Sequence, residues 1–529
     1  MRREVHAMLN FLVLRWRRWL VVLAAVAPLA LHGATSGPQA KTDGGVVEGK
    51  QEGTVNAFLG IPYAAPPVGD LRWKAPAAPA KWTDVRKATE FGARCMQGRV
   101  FSDMVFRDPG PSEDCLTLNV WAPADARKLP VMVWIFGGGF VAGATSEPRQ
   151  DGQNLAKQGV VVVSMNYRLG IFGFLALPEL AAESSRKAAG NYGLLDQTAA
   201  LQWVQRNIAA FGGDPESVTI FGESAGSFSV SAQMASPLAK GLFQRAIGES
   251  GAAFSSHGLP FKTREVRERE DLKFVGSSYG VTSLAELRAL PADRVLEATL
   301  TKQAGGGISF SPDVDGYFLP KPVPKLFAEG KQNDVPVLAG WNRDEGNFAG
   351  LGPEKPTAAG AKAAADKEFG ARAAEFLKLY PAHSDAEALR SIEDFSGDQF
   401  IAFSTWKWME AQKKTGKQVV YRYRFDLSLP AADRPEGLGA YHSAEIEYVF
   451  GQLDSKGLPF RTEDRKLSEQ MQKYWTSFAR SGDPNGAGLP KWPAYDAAHG
   501  WQVMHLKAAP EAGKDSLRER YLFLDTVWK

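Results

Sequence analysis

The chain has 529 residues, of which 44% are hydrophobic and 23% are charged, a balance typical of a globular protein that buries a large core. The formal net charge is +3, but the first 34 residues hold five arginines and one glutamate, so the remainder carries about −1. This near-neutral remainder contains no basic patch, and the composition therefore argues against nucleic acid as a partner.

The first 34 residues have the pattern of an export signal peptide. Their arginines precede the apolar run 19–31, and the small residues Gly33 and Ala34 follow it. The run is shorter than the about 20 residues that span a bilayer, and an uncleaved membrane anchor is the alternative. We therefore expect an exported protein, periplasmic or secreted, that does not associate with a membrane once residues 1–34 are removed.

The rest of the chain is predicted to form one domain. Dividing the length by roughly 150 residues per domain would give three or four domains. However, no low-complexity linker or internal repeat interrupts residues 35–529. We therefore predict a single domain over 35–529, with helical insertions at about 255–330 and 350–415, where Ala, Glu, Lys and Leu are frequent.

The chain contains only two cysteines, Cys95 and Cys115. An even number of cysteines in an exported protein favours a disulfide. Two free buried thiols are the alternative. No Cys and His spacing suggests a metal site, and we expect neither a metal nor a cofactor.

Short apolar runs alternate with helical patterns along the chain. Residues 46–60 alternate apolar and polar side chains, as an edge hairpin does. Further strands are predicted over 116–121, 131–136, 160–166, 218–221, 245–249, 335–340 and 419–425, and helices over 194–207 and 467–481. Strands that alternate with helices predict an α/β fold with a large, mostly parallel sheet covered by helices on both faces.

The strand 218–221 leads into the pattern Gly-x-Ser-x-Gly at residues 222–226, and 227–234 have a helical pattern. This strand, turn and helix are the context of a nucleophile elbow. Gly222 and Gly226 leave room where strand and helix crowd together, and Ser224 is the candidate nucleophile. The helix N-terminus behind it offers unpaired N–H groups to a developing anion. The alternative is a chance occurrence of a short motif.

A serine hydroxyl needs a base to remove its proton, and a carboxylate to orient that base. In α/β-hydrolases the chain order is Ser, acid, His. Asp344 and Glu345 lie in the turn that follows the strand 335–340. The pattern leaves the choice between them open, and we expect the other one to be a solvated turn residue.

The candidate base comes from elimination among seven histidines. Three lie in the predicted signal or precede the acid: His6, His32 and His257. Three others lie in a polar helical region or near the C-terminus: His383, His499 and His505. His442 lies in a loop beyond the strand 419–425, where catalytic groups gather. A surface-loop histidine is the alternative.

Glycines 137–139 follow the apolar strand 131–136. Their backbone N–H groups, with the N–H of Ala225 after the nucleophile, could stabilise the negative oxygen that forms during attack on a carbonyl group. A phosphate-binding loop is the other interpretation, but no Lys-Ser/Thr pair follows these glycines.

Five longer segments resemble the type-B carboxylesterase/lipase family, the relatives of cholinesterases. They are residues 113–120, 166–170, 190–197, 211–215 and 221–226. The resemblance runs from about residue 46 to near the C-terminus. It implies an α/β-hydrolase fold and a triad of Ser224, Glu345 and His442, because the family places its acid at the Glu of Asp-Glu-Gly.

The same resemblance implies the roles of several further residues. The oxyanion hole would consist of Gly138, Gly139 and Ala225. The remaining implied features are a disulfide between Cys95 and Cys115, a structural ion pair between Arg168 and Asp196, and support of the triad by Glu223 and Ser250.

Two departures from the family pattern bear on the predicted site, one on the glycine loop and one on the substrate. Phe136 stands where the family usually has a histidine before the three glycines. The oxyanion donors are backbone groups, so the hole should survive, although the hydrogen bonding of the loop should differ. Cholinesterases carry a choline-binding Trp in the first disulfide loop, whereas residues 96–114 contain Phe101 and Phe106 but no Trp. A cation–π site for choline therefore has no source in that loop, which favours a general esterase.

The sequence thus predicts a serine hydrolase that cleaves small-molecule carboxylic esters, as a monomer or homodimer. One alternative is the same site acting on amides, carbamates or long-chain lipids. A second is a non-catalytic, cholinesterase-like binding module, because a fold does not fix a function. Such modules usually lack a triad residue, and here all three positions are filled.

Overall fold

A mixed β-sheet forms the centre of the computed structural model, which describes residues 37–254, 259–303, 310–348, 356–434 and 436–528. The predicted signal at 1–34 lies outside the described residues, together with its two histidines, His257 and parts of both predicted helical insertions. Residues Gly37–Lys529 form one compact unit, which includes the described helices of both insertions.

Eleven strands in the described residues build this sheet. In chain order they are β1 (Lys50–Glu52), β2 (Val55–Pro62), β3 (Thr117–Pro123), β4 (Leu129–Ile135), β5 (Val161–Met165), β6 (Gly213–Glu223), β7 (Arg245–Glu249), β8 (Val337–Asn342), β9 (Val420–Phe425), β10 (Gln502–Leu506) and β11 (Glu511–Lys514). Their order in space is β11-β10-β9-β8-β7-β6-β4-β5-β3-β2-β1. The pairings from β10 to β5 are parallel, and the outer pairings at both edges are antiparallel. The predicted α/β fold is therefore confirmed, with its parallel part in the middle.

Helices pack around the sheet. Those before the first insertion are α1 (Gln153–Ala156), α2 (Gly170–Phe174), α3 (Pro178–Glu183), α4 (Tyr192–Asn207) and α5 (Ala225–Ala235). Those of the insertions are α6 (Arg264–Ser278), α7 (Leu284–Ala289), α8 (Ala292–Gln303), α9 (Val323–Ala328), α10 (Ala358–Phe369), α11 (Ala373–Leu379), α12 (Asp385–Gly397) and α13 (Phe403–Thr415). The last are α14 (Ile446–Phe450), α15 (Thr462–Ser481) and α16 (Arg518–Val527). None of the described helices is long and apolar enough to cross a membrane.

The burial of the strands explains their apolar sequences. Every residue of β5 is buried, as are the last five residues of β4. Parallel strands are covered on both faces, so continuous apolar runs are what such positions require. The predicted edge hairpin at 46–60 is present as β1 and β2, but Val46–Glu48 pairs separately with Gln39–Lys41 and Arg86–Lys87.

The parallel strands β6, β7, β8 and β9 are neighbours, so their carboxyl ends meet at one edge of the sheet. In open α/β sheets, ligands bind at this edge. Ser224 follows β6 directly and Ser250 follows β7 directly. Glu345 comes three residues after the end of β8, and His442 lies in the long loop after β9. Four distant parts of the chain therefore converge here.

Candidate active site

Ser224 occupies a strained turn between β6 and α5. Its φ of +53° lies in the left-handed region that non-glycine residues rarely adopt. Glycine is required on both sides, because a Cβ on Gly226 would lie 2.0 Å from the carbonyl oxygen of Ile135, and one on Gly222 would lie 2.6 Å from the same atom. The two glycines thus let β4, β6 and α5 approach closely enough to present the serine at the strand end.

Ser224, His442 and Glu345 form one hydrogen-bonded chain. The Nε2 atom of His442 lies 2.9 Å from the Oγ of Ser224. The Nδ1 atom of the same ring lies 2.6 Å from the Oε2 of Glu345. Ser224 and Glu345 are buried, whereas the His442 side chain is 25% exposed. This arrangement can move a proton off the serine while a fixed carboxylate holds the far side of the imidazole.

The Glu345 carboxylate is itself held in place. Its Oε1 atom accepts hydrogen bonds from the Ser250 hydroxyl at 2.7 Å and from the backbone N–H of Asn342 at 2.8 Å. Ser250 is fully buried and has a φ of +56°. With one oxygen bonded to these donors, the other oxygen is directed at His442.

The sequence suggested that whichever of Asp344 and Glu345 did not bond the histidine would be a solvated turn residue. Glu345 bonds His442, but Asp344 is not solvated. It is only 7% exposed. Its carboxylate accepts hydrogen bonds from Arg343, Arg390 and the backbone N–H of Ala440. The expectation was wrong because these donors replace the water that an isolated carboxylate would need when buried.

Glu223 adds a second negative group beside the histidine. Its Oε1 atom lies 3.3 Å from the Nε2 of His442. Burial lowers the pKa of His442, but the Glu223 and Glu345 carboxylates outweigh burial and hold that pKa above its ordinary value. Burial also raises the pKa of Glu223, against the influence of His442 and Arg149.

Glu223→Gln is expected to move the acidic limb of the pH profile of kcat/KM to lower pH. Only neutral imidazole can accept the serine proton, and a neighbouring carboxylate favours imidazolium. Removing that charge lowers the pKa of His442, so activity should persist further into the acid range. The profile is measured with p-nitrophenyl butyrate, with Glu410→Gln as the matched control, because Glu410 pairs with Arg518 instead. An acidic limb that stays in place, or moves upward, would contradict the expectation.

The glycine loop after β4 offers backbone donors beside the nucleophile. Gly138 and Gly139 have φ values of +98° and +63°. A Cβ on Gly137 would lie 2.9 Å from the Cβ of Ser224, so the loop touches the elbow. In the described part of the chain, no protein acceptor takes a hydrogen bond from the N–H of Gly138, Gly139 or Ala225. These groups are therefore available to a substrate oxygen.

Phe136, the departure from the family pattern, is fixed by stacking. Its ring centroid lies 4.4 Å from that of Tyr167, with 22° between the planes. The Tyr167 hydroxyl donates to the Phe136 carbonyl at 2.8 Å. Further along the loop, the Gln97 side chain bonds both the N–H and the carbonyl of Gly143. Aromatic stacking and one amide side chain thus hold the glycine loop that begins at Phe136.

Cys95 and Cys115 are joined by a disulfide, as predicted. The loop that they close contains Phe106, whose ring lies 4.8 Å beneath the guanidinium of Arg94 just before the loop, and Phe101, which is 39% exposed. Arg168 and Asp196 form a buried two-pronged ion pair, with Nε–Oδ2 and Nη2–Oδ1 distances of 2.8 and 2.7 Å.

Asn342, Glu445 and Phe400 lie near the triad and were not predicted. The Asn342 side chain donates to the Tyr441 carbonyl at 2.7 Å and to Glu445 at 2.5 Å, which ties the acid turn to the histidine loop. Asn342 and Glu445 each lie three positions in sequence from a predicted triad residue, and this proximity was the signal by which they could have been predicted. The Phe400 ring packs 5.0 Å from the His442 ring. It lies in the π-helical turn Asp398–Ala402 between α12 and α13, and no sequence pattern indicated it.

The other described histidines pair with carboxylates outside the triad. These pairs are His383 with Glu387, His499 with Asp496, and His505 with Asp426. Within the described ranges, no group of three or more His, Cys, Asp or Glu side chains could hold a metal ion.

Comparison with known proteins gives consistent matches over most of the chain. The profile of the carboxylesterase family matches residues 36–523. The chain is 38% identical to a fumonisin B1 esterase of Sphingopyxis macrogoltabida over 90% of this chain and 88% of that protein. It is also 38% identical to a para-nitrobenzyl esterase of Bacillus subtilis, over 86% and 92% of the two chains. The solved carboxylesterase of Geobacillus stearothermophilus superposes with a TM-score of 0.80 at 35% identity, covering 93% of this chain and all of that one.

Proposed function

The chain belongs to the carboxylesterase family and is a carboxylic ester hydrolase, and we propose that Ser224, His442 and Glu345 are its catalytic triad. The observation that carries this proposal is the pair of hydrogen bonds through His442, of 2.9 Å to the serine oxygen and 2.6 Å to the carboxylate. Their chain order of Ser, acid and His is the order that this type of elbow requires.

In the proposed reaction, the Ser224 oxygen attacks the ester carbonyl carbon while His442 takes its proton through Nε2. The imidazolium then gives that proton to the departing alcohol, which leaves an acyl group on the serine. Water attacks the acyl-enzyme with His442 again as base, and the carboxylic acid is released. Glu345 keeps the Nδ1–H of the ring toward itself and stabilises the imidazolium in both steps.

The N–H groups of Gly138, Gly139 and Ala225 are proposed as the oxyanion hole. The contact of the glycine loop with the elbow supports this role, as does the lack of a protein acceptor for these donors in the described residues. One such donor typically contributes about 3–4 kcal/mol to stabilisation of the transition state. Because the donors belong to the backbone, Phe136 does not remove any of them.

The proposed substrates are small-molecule esters, without the choline preference of cholinesterases. The relatives named above carry names that refer to fumonisin B1 and to para-nitrobenzyl esters. In this chain the disulfide loop contains two phenylalanines and no tryptophan, and Phe106 lies beneath Arg94. Amides, carbamates and long-chain lipids are the competing substrate classes for the same site.

The test is pre-steady-state hydrolysis of p-nitrophenyl esters of increasing acyl length. A burst of p-nitrophenol close to the number of active sites is expected, because p-nitrophenol is a good leaving group and acylation is then faster than deacylation. A fluorophosphonate should abolish the burst and label the peptide that contains Ser224. The preferred acyl length then measures the acyl pocket, and matched amides and carbamates test the competing classes. Turnover that survives stoichiometric labelling would contradict the acyl-enzyme mechanism.

We also propose that the protein is exported, with residues 1–34 as its signal. The arginine-rich start followed by an apolar run supports this proposal, and so does the disulfide, which persists in oxidising compartments. Cell fractionation of the full chain beside a chain that lacks residues 1–34 tests it, and activity in the same compartment for both would contradict it.

A further inference from the structure

The Asp344 carboxylate joins three separate segments of the chain. Its Oδ2 atom accepts a hydrogen bond from the backbone N–H of Ala440 at 2.8 Å, in the loop that carries His442. Its Oδ1 atom accepts one from Arg390 of α12 at 2.7 Å. Arg343, in the acid turn itself, donates to Oδ2 at 2.7 Å. One carboxylate therefore holds the acid turn, the histidine loop and the second helical insertion together.

The backbone around this carboxylate is arranged to bring the two catalytic loops into contact. The N–H of Asp344 donates to the carbonyl of Ala440 at 2.9 Å, so Asp344 and Ala440 exchange two hydrogen bonds. Gly439 has a φ of +82°, and a Cβ there would lie 3.1 Å from Oδ2 of Asp344. The close approach therefore needs glycine in the histidine loop as well as aspartate in the acid turn.

Arg390, which bonds Asp344, lies on helix α12 and belongs to neither catalytic loop. It also pairs with Asp394 one turn along α12, at 2.5 Å. Asp394 in turn pairs with Arg520 of α16 at 3.0 Å. The two aspartates thus share one arginine, and of the two only Asp344 belongs to a catalytic loop. Arg390 also donates to the carbonyl of Arg343 in the acid turn, at 3.4 Å.

We propose that Asp344, together with Arg390, is a positioning residue that sets the place of His442 between Ser224 and Glu345. The proposal rests on the triad proposed above. We call the contacts of the Asp344 carboxylate with Ala440 and Arg390 the clasp. Because Ala440 is two residues from His442 and Glu345 is the residue after Asp344, the clasp fixes both partners of the 2.6 Å hydrogen bond. Catalytic groups must stay within about 0.5 Å of their productive geometry. Asn342 also ties the two loops together, and the Asp344 carboxylate adds the link from both loops to α12.

The test compares Asp344→Asn and Asp344→Ala with wild type, using kcat per active site titrated with fluorophosphonate. Asp344→Ala should lower kcat about 100-fold, as a displacement of about 1 Å does, and leave KM within about twofold. Asp344→Asn should lower it only about tenfold, because the amide oxygen still accepts the Ala440 N–H. Arg390→Gln should cost about tenfold in kcat, since it removes only the helix from the clasp.

Asp394→Asn is the matched control. It neutralises the other partner of Arg390 and touches neither catalytic loop. Its kcat per titrated site should stay within about twofold of wild type. If Asp394→Asn lowers kcat as much as Asp344→Ala, the helix stabilises the fold in general and the positioning role is wrong.

A spectroscopic readout separates positioning from lost stability. The proton on Nδ1 of His442, held against Glu345, should give a far-downfield proton resonance in wild type and in Asp394→Asn. The resonance should shift or disappear in Asp344→Ala and be partly retained in Asp344→Asn. Should Asp344→Ala fail to fold, Asp344→Asn and Arg390→Gln carry the same test. Unchanged kcat and an unchanged resonance in those two variants would overturn the proposal, whereas wild-type turnover that survives stoichiometric fluorophosphonate labelling would instead refute the triad.

Discussion

Ser224→Ala is expected to lower kcat about 10⁶-fold with p-nitrophenyl butyrate and to abolish the burst. Alanine cannot form the acyl-enzyme, and the oxyanion donors then act only on direct attack by water. The fold should be kept, because the Oγ of Ser224 bonds only to His442 among the described residues. The backbone bonds from Ser224 N to Glu249 and from Phe228 N to Ser224 do not depend on the side chain.

The measurement needs a control for contaminating esterases and for the effect of losing a hydroxyl. A mock purification controls for contaminating esterases. Ser217→Ala controls for the lost hydroxyl, because Ser217 lies in the middle of β6, away from the elbow, and among the described residues its hydroxyl accepts one hydrogen bond, from Arg245. It should retain the burst and the wild-type kcat. Substantial turnover in purified Ser224→Ala, at a level not matched by a mock purification, would refute Ser224 as the nucleophile.

Glu345→Gln is expected to lower kcat about 10⁴-fold, the second largest effect. A glutamine can hold the imidazole but carries no charge to stabilise imidazolium, and its amide group can donate to Nδ1 and select the wrong tautomer. The pKa of His442 should also fall, because Glu345 is one of the carboxylates that raise it. Substrate binding should change little, since Glu345 is buried behind the histidine.

Asp344→Asn is the informative comparison, because the two acids are neighbours and the residue pattern alone did not choose between them. Glu345→Gln should lose about a thousand times more activity than Asp344→Asn, since the first removes the charge that stabilises imidazolium and the second only loosens a clasp. Steady-state kcat on titrated enzyme decides the point. If Asp344→Asn lost more kcat than Glu345→Gln, Asp344 would be the catalytic acid and Glu345 the positioning residue.

The elbow and the parallel strands could be predicted from sequence because local physics dictates them. Gly222 and Gly226 are needed wherever a strand, a strained serine and a helix meet, and a continuous apolar run such as 131–136 is needed wherever a strand is covered on both faces. The strand β7 was predicted with its observed bounds. Helix α4 begins two residues earlier than predicted, at Tyr192.

The environment of the acids could not be predicted, because it depends on contacts between distant segments. Whether Asp344 is solvated depends on Arg390, which comes from an insertion 46 residues away. Phe400 reaches His442 through a π-helical turn, for which the sequence has no recognised pattern. The strands β10 and β11 were also missed, since they are short and lie at the edge of the sheet.

The convergence of strand ends also determines when the enzyme can first become active. The bond between Ser224 and His442 spans 218 residues, and the sheet between them must include β7, β8 and β9. Contacts of such long range form late, because loop closure must come before they stabilise anything. A chain still being synthesised therefore displays a complete nucleophile elbow well before it has a base. Recovery of esterase activity on refolding should accordingly report the docking of the C-terminal third rather than the formation of the elbow.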